Sequence, residues 1–279
     1  MFDNWPEPIR NLPPLRAVIA DNDLAAKKSL GQNFLLDLNI TNKIARAAGD
    51  VSDVTVVEIG PGPGGLTRAL LANGAARVVA VERDRRCVQA LQPLVQAADG
   101  RLQVIEDDAM RVDVLNISTA PRAVVANLPY NIGTELLIGW LRNAGAFTSL
   151  TLMFQKEVAE RVVAKPSTKA YGRLAVLAQA TTIPKIVMLL PPQAFTPPPK
   201  VHSAVLQLHP LAEPLAPLPE LERVTAAAFG QRRKMVKAGL APLFTETELR
   251  AHGIDPQLRA ENLPVTQFCA LAKALANRA

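Results

Sequence analysis

The chain is poor in the residues that build covalently stapled or metal-stapled folds. Its 279 residues include two cysteines, Cys87 and Cys269, far apart and outside any CxxC pattern. A disulfide framework and a zinc site are therefore not expected, and the cysteine usage points to a reducing cytoplasm. Histidine is scarce as well, three in all. His202 and His209 have no metal-ligand company and read as structural, so no metal is expected. No apolar run approaches the length of a membrane span. The most apolar region, 183–190, is interrupted by Pro184 and Lys185. The N-terminus carries acids and prolines in place of a signal-peptide pattern. No internal repeat is present.

What is there is apolar and basic. Hydrophobic residues make up 49% of the chain, enough for one large domain and a smaller one. The net charge of +6 favours an anionic partner. Residues 1–26 read as a loose extension, because Pro6, Pro8, Pro13 and Pro14 prevent a long early helix; a short one fits 15–23. From residue 54 the pattern is regular. Apolar strand-like runs at 54–59, 77–82, 102–106, 123–127 and 150–154 alternate with helical stretches at 64–72, 84–96, 132–141 and 155–163. A further helix is expected at 174–180, and final strands at 185–190 and 203–208. The alternation predicts an α/β fold with a doubly wound, mostly parallel seven-stranded sheet. The last two strands are joined only by the proline-rich 191–200, which calls for an antiparallel edge. Pro210, Pro214, Pro217 and Pro219 form a linker, followed by helical periodicity alone. The expected domains are the 1–26 extension, an α/β domain at 27–210 and a small all-helical domain at 211–279.

Chemistry-bearing residues fall at the ends of the strands. Glu58-Ile59-Gly60-Pro61-Gly62-Pro63-Gly64-Gly65 joins the first strand to its helix, and Gly60, Gly62 and Gly65 satisfy a dinucleotide-type fingerprint. Glu82 closes the second strand, at the distance where a carboxylate meets ribose hydroxyls. Both features fit a nicotinamide cofactor and S-adenosylmethionine alike. Pro61 and Pro63 remove two N–H donors, which is awkward for a pyrophosphate and harmless to a sulfonium cation. Asp108, after the third strand, is either an acceptor for an adenine amino group or a helix N-cap. The stretch Lys27-Lys28-Ser29-Leu30-Gly31-Gln32-Asn33-Phe34-Leu35-Leu36-Asp37 is either an ordinary loop before a helix or a lid whose Gln32 and Asn33 touch a ligand.

The fourth strand ends in Asn127-Leu128-Pro129-Tyr130. Pro129 lacks an N–H and pushes Leu128 out of helical geometry, so the strand stops in a rigid corner. The corner offers an amide oxygen, a backbone carbonyl and a ring, a set suited to the exocyclic amine of a flat base. A strand-ending turn with a core tyrosine is the plainer reading.

Taken together these features resemble class I methyltransferases that act on exocyclic amines of bases. More closely, Leu30-Gly31-Gln32-Asn33-Phe34-Leu35, the glycine loop, Asn127-Leu128-Pro129-Tyr130-Asn131, Phe154-Gln155-Lys156-Glu157-Val158, Tyr171-Gly172-Arg173-Leu174, Phe195-Thr196-Pro197-Pro198-Pro199-Lys200-Val201 and Gln231-Arg232-Arg233-Lys234 resemble the ribosomal RNA adenine dimethyltransferase family, in its KsgA (RsmA) branch. The resemblance covers residue 27 to the C-terminus. It implies S-adenosylmethionine-dependent N6,N6-dimethylation of two adjacent adenines near the 3′ end of 16S rRNA, in the small ribosomal subunit or its precursor. By motif position it puts cofactor contacts at Asn33, Leu35, Gly60, Glu82, Asp108 and Asn127. The catalytic corner falls at Asn127, Leu128, Pro129 and Tyr130, with Tyr130 and Phe195 as the pair that stacks on the target base. Ser29-Leu30 and His202 depart from the family pattern.

Between residues 223 and 245 five basic residues, Arg223, Arg232, Arg233, Lys234 and Lys237, occur with no acid. They read as a phosphate-binding stripe on the helical domain, or as a solvated face. Two alternatives stand beside the leading one: a large-subunit adenine dimethyltransferase of the macrolide-resistance type, and a non-catalytic ribosome assembly factor. Nothing in the sequence calls for an obligate oligomer, so a monomer is expected.

Overall fold

A computed structural model describes residues 4–26, 31–231 and 233–278. Lys27, Lys28, Ser29, Leu30 and Arg232, named above, lie outside the described residues. The strands are β1 (Phe34–Leu35), β2 (Thr55–Ile59), β3 (Arg77–Glu82), β4 (Leu102–Glu106), β5 (Arg122–Asn127), β6 (Ser149–Gln155), β7 (Thr182–Leu190), β8 (Phe195–Thr196) and β9 (Ser203–Pro210). Seven of them form one sheet in the order β4-β3-β2-β5-β6-β9-β7. The first five in that order run parallel, and β9 runs antiparallel to β6, opposing Ser203 to Gln155. The expected doubly wound sheet with an antiparallel edge is therefore present. Every residue of β2 is buried, as a central strand covered on both faces requires. The chain runs from β2 outward to β4, then returns to β5 on the other side. The gap between β2 and β5 is the switch point where such sheets hold ligands.

Local differences from expectation have local causes. The stretch expected as one helix over 84–96 is two, Arg85–Ala90 and Gln92–Ala97, because Pro93 cannot donate into a continuous helix. β7 begins at Thr182, ahead of Pro184, a residue that an edge strand tolerates. β1 and β8 pair antiparallel, Phe34 with Thr196 and Leu35 with Phe195, as a separate two-stranded sheet.

By contact the chain divides into two compact units: 1–136 with 146–156 and 186–208, and 137–145 with 157–185 and 209–279. In the first unit the N-terminal residues are not a loose lead-in. Trp5 and Ile9 are buried in the main core, and Val18 and Leu24 are buried against Cys87 and Ala90. The Arg68 guanidinium donates to the Pro13 carbonyl at 2.8 Å, and Arg86 donates to the Asp23 carbonyl at 2.7 Å. The short helix Leu15–Asp21 supplies part of this packing.

The second unit takes in 157–185, a stretch expected within the α/β domain. Its helix Arg173–Thr181 packs on the helices Leu218–Phe229 and Val265–Ala276. Buried Tyr171 donates to the Leu263 carbonyl at 2.9 Å and meets the Phe229 ring edge-on at 6.2 Å. Phe229 in turn stacks on Phe268 at 5.4 Å. Among the described residues no helix is long and apolar enough to cross a membrane.

Candidate active site

The loop after β2 turns on glycines with left-handed backbone. Gly62 has φ +55°, and a Cβ there would sit 3.0 Å from the Phe34 ring. Only glycine fits such a conformation and approach. Its N–H donates to Glu82 Oε2 at 3.1 Å. The Gly60 N–H donates to the Val81 carbonyl at 2.9 Å and the Gly64 N–H to the Pro61 carbonyl at 3.0 Å. Pro61 and Pro63 have no N–H. The donors of residues 60–64 are thus engaged inside the protein or missing, which leaves this stretch without the amide cradle that a pyrophosphate needs.

Glu82 is buried at the end of β3, with Oε1 accepting from the Asp84 N–H at 2.7 Å. Burial raises its carboxyl above the ordinary range, and the N–H bonds from Asp84 and Gly62 oppose that rise. Asp84 caps the following helix and pairs with Arg86, which holds its carboxyl down at about 2. Gln32 donates to Asp84 Oδ2, which also accepts from Arg86, at 3.2 Å. That bond ties the Gln32-Asn33 loop to the end of β3. Deeper still, Glu58 in β2 is fully buried. Desolvation pushes its carboxyl up to about 8, the Thr67 hydroxyl opposes the rise and the Glu82 charge adds to it.

These ends surround a cavity of about 150 Å³. Its carboxylic acids, among the described residues, are three, Glu82, Asp107 and Asp108, against the single basic residue Arg83. Asp108 caps no helix; it stands before a turn on the cavity wall. Its Oδ1 accepts from the Met110 N–H at 3.0 Å, capping the turn, while Oδ2 faces Arg83 at 3.2 Å on the cavity wall. Asn33, Gly60, Glu82, Asp108 and Asn127, expected as cofactor contacts, all line this cavity. Leu35 does not: it is buried, and it borders a smaller neighbouring cavity of about 30 Å³ with Glu58 and Asn127.

Asn127, Leu128, Pro129 and Tyr130 form one side of the main cavity. The Asn127 Nδ2 donates to the Asn33 carbonyl at 3.1 Å. A carbonyl can only accept, so this contact fixes which end of the amide is nitrogen. The Asn127 Oδ1 is left as an acceptor. The Pro129 carbonyl is taken by the Ile132 and Gly133 N–H groups, whereas among the described residues no turn or cap takes the Leu128 carbonyl. Two acceptors therefore lie one residue apart at the corner. The Tyr130 hydroxyl is 2.6 Å from Ser203 Oγ, and burial raises its pKa.

Phe195 is placed differently from the expectation. It is 3% exposed, belongs to the hydrophobic core with Leu35, Met153 and Val205, and does not line the cavity. The β1–β8 pairing turns its ring inward and leaves Thr196 exposed. Of the basic stretch, Arg223, Arg233 and Lys234 are exposed and make no ion pair among the described residues. Lys237 pairs with Glu246 at 3.0 Å. Sequence reasoning missed Arg83 and Ser203. The first sits beside Glu82 and was open to notice as the next residue. The second gave no signal, because its partner is remote in the chain.

A family model for ribosomal RNA adenine dimethylase matches residues 24–277. The chain is 60% identical over 275 residues to the ribosomal RNA small subunit methyltransferase A of Ruegeria pomeroyi, covering 96% of this chain and 99% of that one. It is 59% identical over 275 residues to the protein of the same name in Paracoccus denitrificans, covering 96% and 98%. These matches take in more of the chain than residues 27–279 supply, so the similarity reaches into the first 26 residues. Among solved structures it is similar to a dimethyladenosine transferase from Plasmodium falciparum, with TM-score 0.73 and 25% identity over 87% of this chain and 96% of that one. It is also similar to the 23S rRNA methyltransferase ErmE, with TM-score 0.68 and 27% identity over 88% and 100%. With the family model matched along nearly its whole length, on a class I methyltransferase fold, this chain belongs to the ribosomal RNA adenine dimethylase family.

Proposed function

We propose that this chain is the enzyme that places two methyl groups on N6 of each of two adjacent adenines near the 3′ end of 16S rRNA. It acts in the small ribosomal subunit or its precursor, as a cytoplasmic monomer that uses S-adenosylmethionine. The identity to small subunit methyltransferase A proteins supports the substrate. The observation that carries the chemistry is the Asn127 amide, oriented by Asn33 with its oxygen one residue from the Leu128 carbonyl, which no turn or cap among the described residues takes.

The cavity suits S-adenosylmethionine better than a dinucleotide. An acid-rich lining favours a cation, and the loop at 60–64 has no N–H to offer a phosphate. When bound, S-adenosylmethionine supplies an electrophilic methyl group on a sulfonium. Glu82 would meet ribose hydroxyls with the lone pairs left to its anchored oxygens. Asp108 would accept from the adenine amine of the donor. Asn33, Gly60 and Asn127 complete the wall.

The target amine is a poor nucleophile, because its lone pair is delocalised into the base. The Asn127 Oδ1 and the Leu128 carbonyl take its two N–H groups and so favour a pyramidal nitrogen with the lone pair free. Alignment of this kind can lower a barrier by up to ~7–11 kcal/mol. No general base is required before transfer, since the proton leaves to water from the methylated nitrogen. Tyr130 stacks on the base, a contact worth ~1–3 kcal/mol. Phe195 supports the site from the core through the β1–β8 pair. Arg223, Arg232, Arg233, Lys234 and Lys237 contribute phosphate contacts that hold the RNA without reading its sequence.

The test is methyl transfer from labelled S-adenosylmethionine by the purified chain, offered under-methylated small and large ribosomal subunits separately. Label in the small subunit alone is expected. Label in the large subunit alone supports the macrolide-resistance type instead, and no transfer to either supports a non-catalytic assembly factor.

A further inference from the structure

Tyr130 is held at both ends. Its backbone follows Pro129, and its hydroxyl lies 2.6 Å from the hydroxyl of Ser203. Ser203 is fully buried at the first position of β9, where it opposes Gln155 of β6. A buried serine on a paired strand has little freedom, so its oxygen is a fixed point. A tyrosine ring has two side-chain torsions, and a bond at the para oxygen removes most of the motion they allow.

The tie closes a loop of contacts around the corner. Asn127, at its start, is oriented by the Asn33 carbonyl. Asn33 leads directly into β1, β1 pairs with β8, and the chain from β8 leads through the proline-rich 197–199 to Ser203. Two backbone segments joined by the β1–β8 pairing thus anchor the acceptor at one end of the corner and the ring at the other.

We propose that Ser203 is a positioning residue of the double methylation: its hydroxyl fixes the Tyr130 ring so that a singly methylated adenine stays seated for the second transfer. This rests on the reading of Tyr130 as the stacking face for the target base. After the first transfer one N–H has been replaced by a methyl group, and the amine must turn to present its remaining N–H and lone pair. Its hydrogen bonds to the corner are weakened during that turn. The ring face is then the main contact holding the base, and a ring free to swing releases the intermediate sooner.

The experiment uses the full-length chain with under-methylated small subunits and S-adenosylmethionine. Nucleoside mass spectrometry follows the ratio of monomethyl to dimethyl adenine during turnover. Ser203→Ala should raise that ratio about 2- to 10-fold, the range expected for loss of one neutral hydrogen bond, with S-adenosylmethionine affinity unchanged. Tyr130→Phe removes the same bond from the other side and should raise it equally, and the double variant no further. Ser203→Thr keeps the hydroxyl and should return the ratio towards that of the parent chain. A parent-like ratio in both folded single variants, or effects that multiply in the double variant, would overturn the proposal. Tyr130→Ala tests the underlying reading separately: if KM for the subunits is unchanged, the ring does not stack on the base and both readings fall. If KM rises while Ser203→Ala keeps the parent ratio, only the positioning role is lost.

Discussion

The acid-lined corner of the first unit and the basic stretch of the second differ in nearly every physical respect. At the corner, polar groups are buried or half-buried and tied to named partners: Asn127 to Asn33, Glu82 to Gly62 and Asp84, Tyr130 to Ser203. In the basic stretch Arg223, Arg233 and Lys234 stand in solvent without ion pairs among the described residues. The first arrangement is preorganised, as differential stabilisation of a transition state requires. The second keeps its charges hydrated and free to follow a flexible polyanion, as counterion-releasing contact requires. Substitutions in the two regions should therefore separate cleanly, the first acting on rate and folding and the second on salt dependence.

The largest separation is expected at Asn127. Asn127→Ala should lower the single-turnover methylation rate by about 100-fold or more, in keeping with the share of a barrier that alignment supplies. Subunit binding and its salt slope should be unchanged. A rate within a few-fold of the parent chain would place the amine acceptor elsewhere.

A second break concerns Glu58. Its folded pKa of about 8 lies above the model-compound value of 4.5, so the native state binds the extra proton between those two limits. Stability from this group is full below about pH 4.5 and is lost as pH rises through about 8, with a slope of up to about 1.4 kcal/mol per pH unit. Denaturant titrations of the parent chain and Glu58→Gln from about pH 5 to 8 should show a steeper decline in the parent. Parallel curves would mean that Glu58 is already charged in the folded protein.

Gly62→Ala sharpens the comparison from the backbone side. The left-handed φ and the 3.0 Å approach to Phe34 should lower stability by roughly 1–2 kcal/mol, read as a fall in Tm. S-adenosylmethionine affinity should weaken with it, because Glu82 loses a placed N–H. The smallest effects belong to the basic stretch. Arg233→Ala should reduce the salt slope of subunit binding by about 0.9 with kcat unchanged. Lys237→Ala should reduce it less, because Glu246 already holds that charge.

Much of this was legible in the sequence, for physical reasons. The buried strands advertise themselves as apolar runs, and Pro129 marks the end of β5 because it cannot continue either pattern. Glycines and acids at strand ends located the cavity. What was not legible depends on pairings between remote residues. The two-residue strands β1 and β8 carry no periodicity, so the inward turn of Phe195 had no signature. The same holds for the tie between Tyr130 and Ser203. The N-terminal prolines suggested looseness, yet Trp5 and Ile9 pack into the core: proline limits helix length and leaves burial untouched. Residues 157–185 looked like sheet-covering helices, and contacts remote in the chain, such as those of Tyr171 with Leu263 and Phe229, assign their partners.

The most direct measurement is mass-spectrometric mapping of the 16S rRNA 3′ region from cells with the gene for this chain deleted, and from the same cells with it restored. Two adjacent N6,N6-dimethyladenines absent from the first and present in the second are expected. Dimethyladenines that persist without the chain, or a modification that appears at any other nucleotide, would contradict the account.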